Sequence, residues 1–317
     1  MRTDERPLPL ASKDETRGLL MGFLGVAIFA ATLPMTRLAV AELDAAFVGI
    51  GRAVLAGLLA LAWLGATRAP LPARGQVGTL VLVAAGVVLG FPLFSSLALR
   101  DAPASHAAVI NGLLPLGTAL MAAWRGGERP SPAFWGCAVA GSALVVGFAL
   151  AQGGGGLGGS DWLMLCAVAA GSLGYAEGGR LATVMGGPRV ICWALVVALP
   201  LTLPVTVWLG WSRGLAASPA AWASFAYVGV FSMFLGFFAW YRGLALGGVA
   251  RVGQVQLVQP FLTLAIAALI GGEAIGPVTW LVAVAVVGVI ALGRRTRVAR
   301  SAVARPAEPS TRAPAAG

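Results

Sequence analysis

Charge is scarce in this sequence. Only 11% of its 317 residues are Asp, Glu, Lys or Arg, against about 25% in soluble domains, so water is not the main solvent of the folded chain. There is one histidine, His106, and there are three cysteines, Cys137, Cys166 and Cys192. The cysteines are odd in number, fall inside apolar runs and lack metal-ligand spacing. They read as small packing residues, and neither a metal nor a cofactor is expected. No Gly-x-Ser-x-Gly turn and no Walker sequence occurs, which leaves a hydrolase or an ATP-driven pump without its parts. The acids expected on the outer side (Glu42, Asp44, Asp101, Asp161 and Glu273) are scattered along the chain, unlike the metal-holding loops of a lipid or polyprenyl transferase. The chain is not expected to be an enzyme.

What is present is apolar. Hydrophobic residues make up 58% of the chain, and its mean hydropathy is +0.86. Ten apolar stretches follow one another, near 19–40, 45–66, 76–99, 104–124, 132–150, 161–182, 189–209, 221–243, 249–270 and 277–293. Most have the ~20 residues that a helix needs to cross a hydrocarbon core of ~30 Å. They are continuous rather than alternating, which argues against a membrane barrel. The expected class is an all-α integral membrane protein with ten transmembrane helices. The first run is too long for a signal-peptide core and has no clear cleavage site, so it is expected to be retained.

A net charge of +10 would suit nucleic acid, but its placement argues for the bilayer instead. With the N-terminus in the cytoplasm, eighteen Lys and Arg fall on that side. Three (Arg37, Arg100 and Arg213) fall outside, and Arg52 lies within a span. That asymmetry is the positive-inside pattern of a plasma (inner) membrane protein with both termini cytoplasmic.

The chain contains one stretch twice. Residues 115–140, PLGTALMAAWRGGERPSPAFWGCAVA, shifted by 145 fall on residues 260–285, with twelve of 26 positions identical. Repeats of this kind set the architecture. The expected division is a cytoplasmic tail at 1–17, a five-helix repeat at 18–150, a Gly-rich outer linker at 151–160, a second repeat at 161–293 and a basic cytoplasmic tail at 294–317. Five is odd, so the second copy enters the membrane the other way round, related to the first by a pseudo-two-fold axis in the membrane plane. The charges agree. The turn at 126–135 keeps Arg125 and Arg129 at its edges, whereas its twin at 271–280 has Ile270 and Ala274 in their places.

Two inverted sets of five spans, a Pro within spans 4 and 9, a Glu closing each of them, and Gly-rich spans 5 and 10 resemble the drug/metabolite transporter superfamily, EamA type. The resemblance covers about residues 18–293. It implies a bundle with a central cavity lined mainly by spans 1, 3, 4, 6, 8 and 9, and alternating access driven by an ion gradient or by exchange. It also implies diverse small metabolites as substrates, often exported. Arg52 resembles an Arg commonly found in the family's second span.

Several residues within the spans carry polar chemistry. Pro115 and Pro260 each release a backbone carbonyl four residues earlier, at Asn111 and at Gln256. The two amides then either line a polar cavity with the prolines as hinges, or cap the freed carbonyls locally. Gln256, Gln259 and Thr263 share one helical face, with Gln254 nearby; substrate contact or interhelical hydrogen bonding would justify them. Glu177 is the only acid well inside a span. It suits a coupling proton or cation, or an i,i+3 pair with Arg180. Arg52 would attract an anionic substrate group or pair with Glu42 or Asp44 at the outer rim. His106 is either a pH sensor or simply solvated. Phe234, Phe238 and Tyr241 share a face beside Trp240, able to stack on a planar or cationic substrate or to pack. Tyr175, Thr32 and Pro34 are further cavity candidates, and Gly171, Gly174 and Gly178 permit close helix approach.

Together these expectations describe a secondary active transporter. It would export small polar or amphipathic metabolites, amino acids or related compounds first and small aromatic or cationic compounds second. Its partners would be the small-molecule substrate, the lipid bilayer and a coupling proton or cation, with no nucleic acid, and it would work as a monomer or homodimer. The alternative is a membrane-embedded enzyme or lipid-handling scaffold.

Overall fold

The computed structural model describes residues 13–126, 132–152, 157–247 and 252–295. The turn carrying Glu128 and Arg129, residues 153–156 of the glycine linker, Arg251 and the distal tails lie outside the described residues. Among those described there is no strand. The described residues form fourteen α-helices, in order: α1 Lys13–Ala30, α2 Thr32–Val40, α3 Ala45–Ala66, α4 Arg74–Val83, α5 Phe91–Asp101, α6 Ala104–Asn111, α7 Leu114–Gly126, α8 Pro132–Gln152, α9 Gly159–Met185, α10 Gly187–Arg213, α11 Pro219–Tyr227, α12 Gly236–Gly247, α13 Gln259–Gly271 and α14 Pro277–Arg295. Among the described residues, six stretches are long and apolar enough to cross a membrane: Thr16–Val40, Ala45–Ala66, Arg74–Asp101, Ala104–Arg125, Gly187–Arg213 and Pro219–Gly247. Val255–Gly271 and Pro277–Val289 are shorter apolar helices.

The helix ends follow local chemistry. Asp44 caps α3 by accepting the Phe47 N–H at 3.0 Å, and Ser218 caps α11 by accepting the Ala221 N–H at 3.2 Å. These satisfy donors that have no partner within their own helix. Gly186, at φ +85°, turns the chain from α9 directly into α10, a conformation open to glycine and strained for other residues.

Four helices of the second half begin 145 residues after their counterparts: α4 and α11 at 74 and 219, α5 and α12 at 91 and 236, α7 and α13 at 114 and 259, α8 and α14 at 132 and 277. The irregularities repeat as well. A π-helical segment, Ala84–Gly90, joins α4 to α5, and another, Val228–Leu235, joins α11 to α12. Shifting 84–90 by 145 gives 229–235. Such segments add a residue to the turn and are frequent at functional sites.

The sequence led us to expect mid-helix kinks at the two prolines. Instead the helix ends ahead of each. α6 stops at Asn111, and Pro115 is the second residue of α7; a 3₁₀ segment, Gly253–Val258, precedes α13, of which Pro260 is the second residue. In a first turn the N–H that proline lacks has no intrahelical partner in any case, so nothing is lost there.

Packing has the same symmetry. α1 lies against α12, as α9 lies against α5; α3 packs on α10 and α8 on α14. Exchanging the halves maps this pattern onto itself. The approaches are close where glycines meet. A Cβ on Gly18 would stand 2.6 Å from the Gly247 nitrogen, and one on Gly243 2.6 Å from that of Gly22. Gly174 and Gly178 likewise have Val87 and Tyr241 against them.

Candidate functional site

The irregular segments converge. A cavity is lined by Phe29, Thr32 and Leu33 around the α1–α2 break, Arg52 of α3, Val87 and Phe91 at the first π segment, and Asn111 and Leu114 at the α6–α7 break. Tyr175 of α9, Ser232 and Met233 of the second π segment, Phe237 of α12 and Gln259 of α13 complete it. Both halves of the chain contribute. About 20 Å³ is left for the centres of water molecules, room for one or two waters, so the site is largely filled by its own side chains.

Its polar groups are poorly matched to one another. Arg52 is 1% exposed. Its Nη1 donates to Thr36 Oγ1 at 3.5 Å, and its Nε has no partner. No carboxylate lies within ion-pairing distance of it among the described residues. Asn111 Oδ1 is also buried without a partner. Thr32 and Ser232, from opposite halves, share a hydrogen bond of 2.8 Å. The walls are aromatic: Phe29 lies 5.0 Å from Phe237 and 6.2 Å from Tyr175 between ring centroids.

Of the residues singled out in the sequence, Asn111, Gln259, Tyr175, Thr32 and Arg52 come together at this cavity. Gln256, Thr263 and Trp240 are buried but lie outside its lining. Both amide atoms of Gln256 and the indole nitrogen of Trp240 lack partners. Phe238 turns away, its ring 5.2 Å from Trp63 and 4.6 Å from Phe234, and Phe237 takes the place expected of it. Tyr241 donates its hydroxyl to the Gly174 carbonyl at 3.1 Å, a packing role.

Arg52 and His106 are placed differently from expectation, and Glu177 has a partner beyond the expected Arg180. Arg52 does not reach the rim. Glu42 accepts the N–H and hydroxyl of Ser218 at 2.6 and 2.7 Å, and Asp44 is occupied by its cap and by Arg213 at 3.9 Å. Glu177, with no exposure, takes Arg125 of α7 at 2.7 Å as its main partner, with Arg180 farther off at 3.6 Å. His106 is held rather than solvated, its Nε2 2.6 Å from Asp161 Oδ1 and its ring stacked on Phe148 at 5.3 Å. Glu273 clasps the two halves together. Its carboxylate accepts the first two N–H groups of α6, from Ala104 at 2.7 Å and Ser105 at 2.9 Å.

Sequence reasoning missed Phe29, Ser232, Phe237 and Arg125. Of the three that line the cavity, only Ser232, a lone hydroxyl within VGVFSMFL, carried a polar signal. No group of three or more His, Cys, Asp or Glu able to hold a metal occurs among the described residues.

Comparison with known proteins bears on the same architecture. The EamA-like transporter family matches the chain twice, at residues 16–151 and 158–293. A protein of Bacillus subtilis (strain 168) named "Uncharacterized transporter YdeK" is 48% identical over 280 residues, 88% of this chain and 98% of that protein. A solved structure described only as "Crystal structure of protein" superposes with a TM-score of 0.61, covering 87% of this chain and 97% of its own at 21% identity. That last likeness speaks to the fold alone.

Proposed function

The chain belongs to the EamA-like transporter family, and we propose that this multi-pass membrane transporter is a secondary active exporter of small polar or amphipathic metabolites, amino acids or related compounds foremost. The observation that carries this reading is the cavity lined by both halves, where Arg52, Asn111 and Gln259 stand among aromatic walls. Polar groups left unmatched inside an apolar bundle are costly unless they serve a passenger.

The architecture proposed is ten spans in two inverted repeats, at 18–150 and 161–293, set in the plasma membrane with both termini cytoplasmic. Duplicated helix starts and duplicated π segments support the repeat, and the arginine asymmetry supports the orientation. Rocking of one half against the other would open the cavity to each side in turn, with the breaks before Pro115 and Pro260 as flex points. Glu177, held by Arg125 and Arg180, serves as an interhelical tie rather than as the carrier of a coupling proton.

Proteoliposomes test the function. Labelled amino acids should move across the membrane, faster with a proton or cation gradient than without, and Glu177→Gln should keep the gradient response. Chemical conversion of a substrate without net movement would favour a membrane enzyme instead.

A further inference from the structure

Building on the transport reading, we propose that the cavity recognises its passenger by a carboxylate group, held by Arg52, and excludes compounds whose only charge is positive. Arg52 lines the cavity at 1% exposure, has an unpartnered Nε and makes a single long contact, to Thr36 at 3.5 Å. A guanidinium carries five donors and stays protonated in a protein, so among the described residues most of its hydrogen-bonding capacity and all of its charge are unmatched. The acids that might have answered it are occupied: Glu177 by Arg125, Glu42 by Ser218, Asp161 by His106, Glu273 by the start of α6.

An uncompensated buried charge is strongly unfavourable, and a carboxylate is the anion whose two oxygens match the planar fork of an arginine. The rest of the cavity fits what such a compound would carry. Asn111 Oδ1 is an acceptor in want of a donor, suited to an amino or hydroxyl group. Phe29, Tyr175 and Phe237 offer faces to an apolar body. Among the described residues no carboxylate lines the cavity, so an ammonium without a carboxylate of its own would meet only the repulsion of Arg52. Zwitterionic amino acids and simple carboxylates satisfy these conditions; amines do not.

The test uses the full chain in detergent or nanodiscs, with thermal unfolding followed by tryptophan fluorescence. Millimolar phenylacetate, L-phenylalanine, 2-phenylethylamine, benzyl alcohol and sodium chloride are the probes. Phenylacetate or L-phenylalanine should raise the midpoint, and the amine, the alcohol and chloride should not. Arg52→Gln should bind the carboxylate probes at least about tenfold more weakly yet be no less stable than the parent, because it removes a charge that no described residue pairs. Arg52→Lys should fall between the two. Four outcomes would overturn the proposal: no shift with either carboxylate, an equal shift with chloride or with the amine, undiminished binding in Arg52→Gln, or an Arg52→Gln variant that fails to fold. Counterflow of the same labelled probes in proteoliposomes separates the two claims. Carboxylate binding that needs Arg52 but gives no counterflow would leave the site standing and count against transport. Counterflow of a neutral probe, unaltered in Arg52→Gln, would leave transport standing and sink the carboxylate site.

Discussion

Glu177 has no solvent exposure, and the cation that meets it, Arg125, is 40% exposed and 52 residues away in sequence. The carboxylate therefore depends on a partner that water also competes for. Arg125→Gln should lower stability by about 1.5–3 kcal/mol, the range for hydrogen bonds to charged groups. The double variant with Glu177→Gln should recover part of that loss, because no buried charge is then left with only the weaker Arg180 contact. Thermal unfolding of the four proteins measures both, and additive losses would show that the pair is not coupled. Glu42 is the second test at this scale. The Ser218 hydroxyl and N–H hold its carboxyl below the ordinary carboxylate range, from a reference of 4.5. A depressed folded value stabilises above the unfolded one and is lost as pH falls through the folded value. The parent should thus be more stable than Glu42→Gln near neutral pH, with the gap closing in acid below about pH 4.5. A gap that is constant with pH would contradict the assignment.

These pairs mark where the sequence stopped being readable. Arg180 stands three residues from Glu177, so periodicity pointed to it; nothing local could point to Arg125. Glu42 and Asp44 lie near Arg52 along the chain, yet each meets backbone N–H groups that the sequence does not display. Phe237 and Phe238 stand three and four residues beyond Phe234, and a 3.6-residue period cannot choose between them. The π segment ending at Leu235 shifts the register further. Asn111 and Gln259 were legible for a simple reason. An amide inside an apolar span is costly, so it announces a need.

Helices in this protein are placed by what glycine lets them approach and by what ties their ends. A Cβ on Gly174 would fall 2.5 Å from Val87 Cγ1 and 2.8 Å from the Val87 nitrogen. The side chain could rotate, but the backbone cannot give way without moving α9 off the first π segment. Gly174→Ala should cost about 1–3 kcal/mol, as overpacking does. Gly78, in α4 with nothing within 4 Å of its Cβ position, is the control. Gly78→Ala should be neutral or up to about 1 kcal/mol stabilising through helix propensity. Equal effects at the two sites would remove close approach as the reason for Gly174. Glu273 ties a helix end across the halves, and Glu273→Ala should cost about 0.5–2 kcal/mol, as lost helix caps do. The glycines were recognisable from the sequence as packing residues. The π segments were not, because their extra residue leaves no mark in a continuously apolar run.

For the whole molecule, the repeat was the part most open to reading, since 145 residues separate matching letters, matching helix starts and matching irregularities alike. Pairing of α1 with α12, mirrored by α9 with α5, is what two copies of one unit produce when each covers the other's apolar face. Where the copies meet, the helices end or widen and the polar cavity lies. Everything proposed for transport depends on the copies also being inverted with respect to the bilayer, because only then do the two halves offer equivalent routes to opposite sides. Single cysteines settle this directly, in a background with Cys137, Cys166 and Cys192 replaced. In intact cells, a membrane-impermeant maleimide should label Ala274→Cys and should leave Arg129→Cys unlabelled until the cells are opened. Labelling of both from the outside, or protection of both, would place the two turns on one side of the membrane and contradict the inverted arrangement.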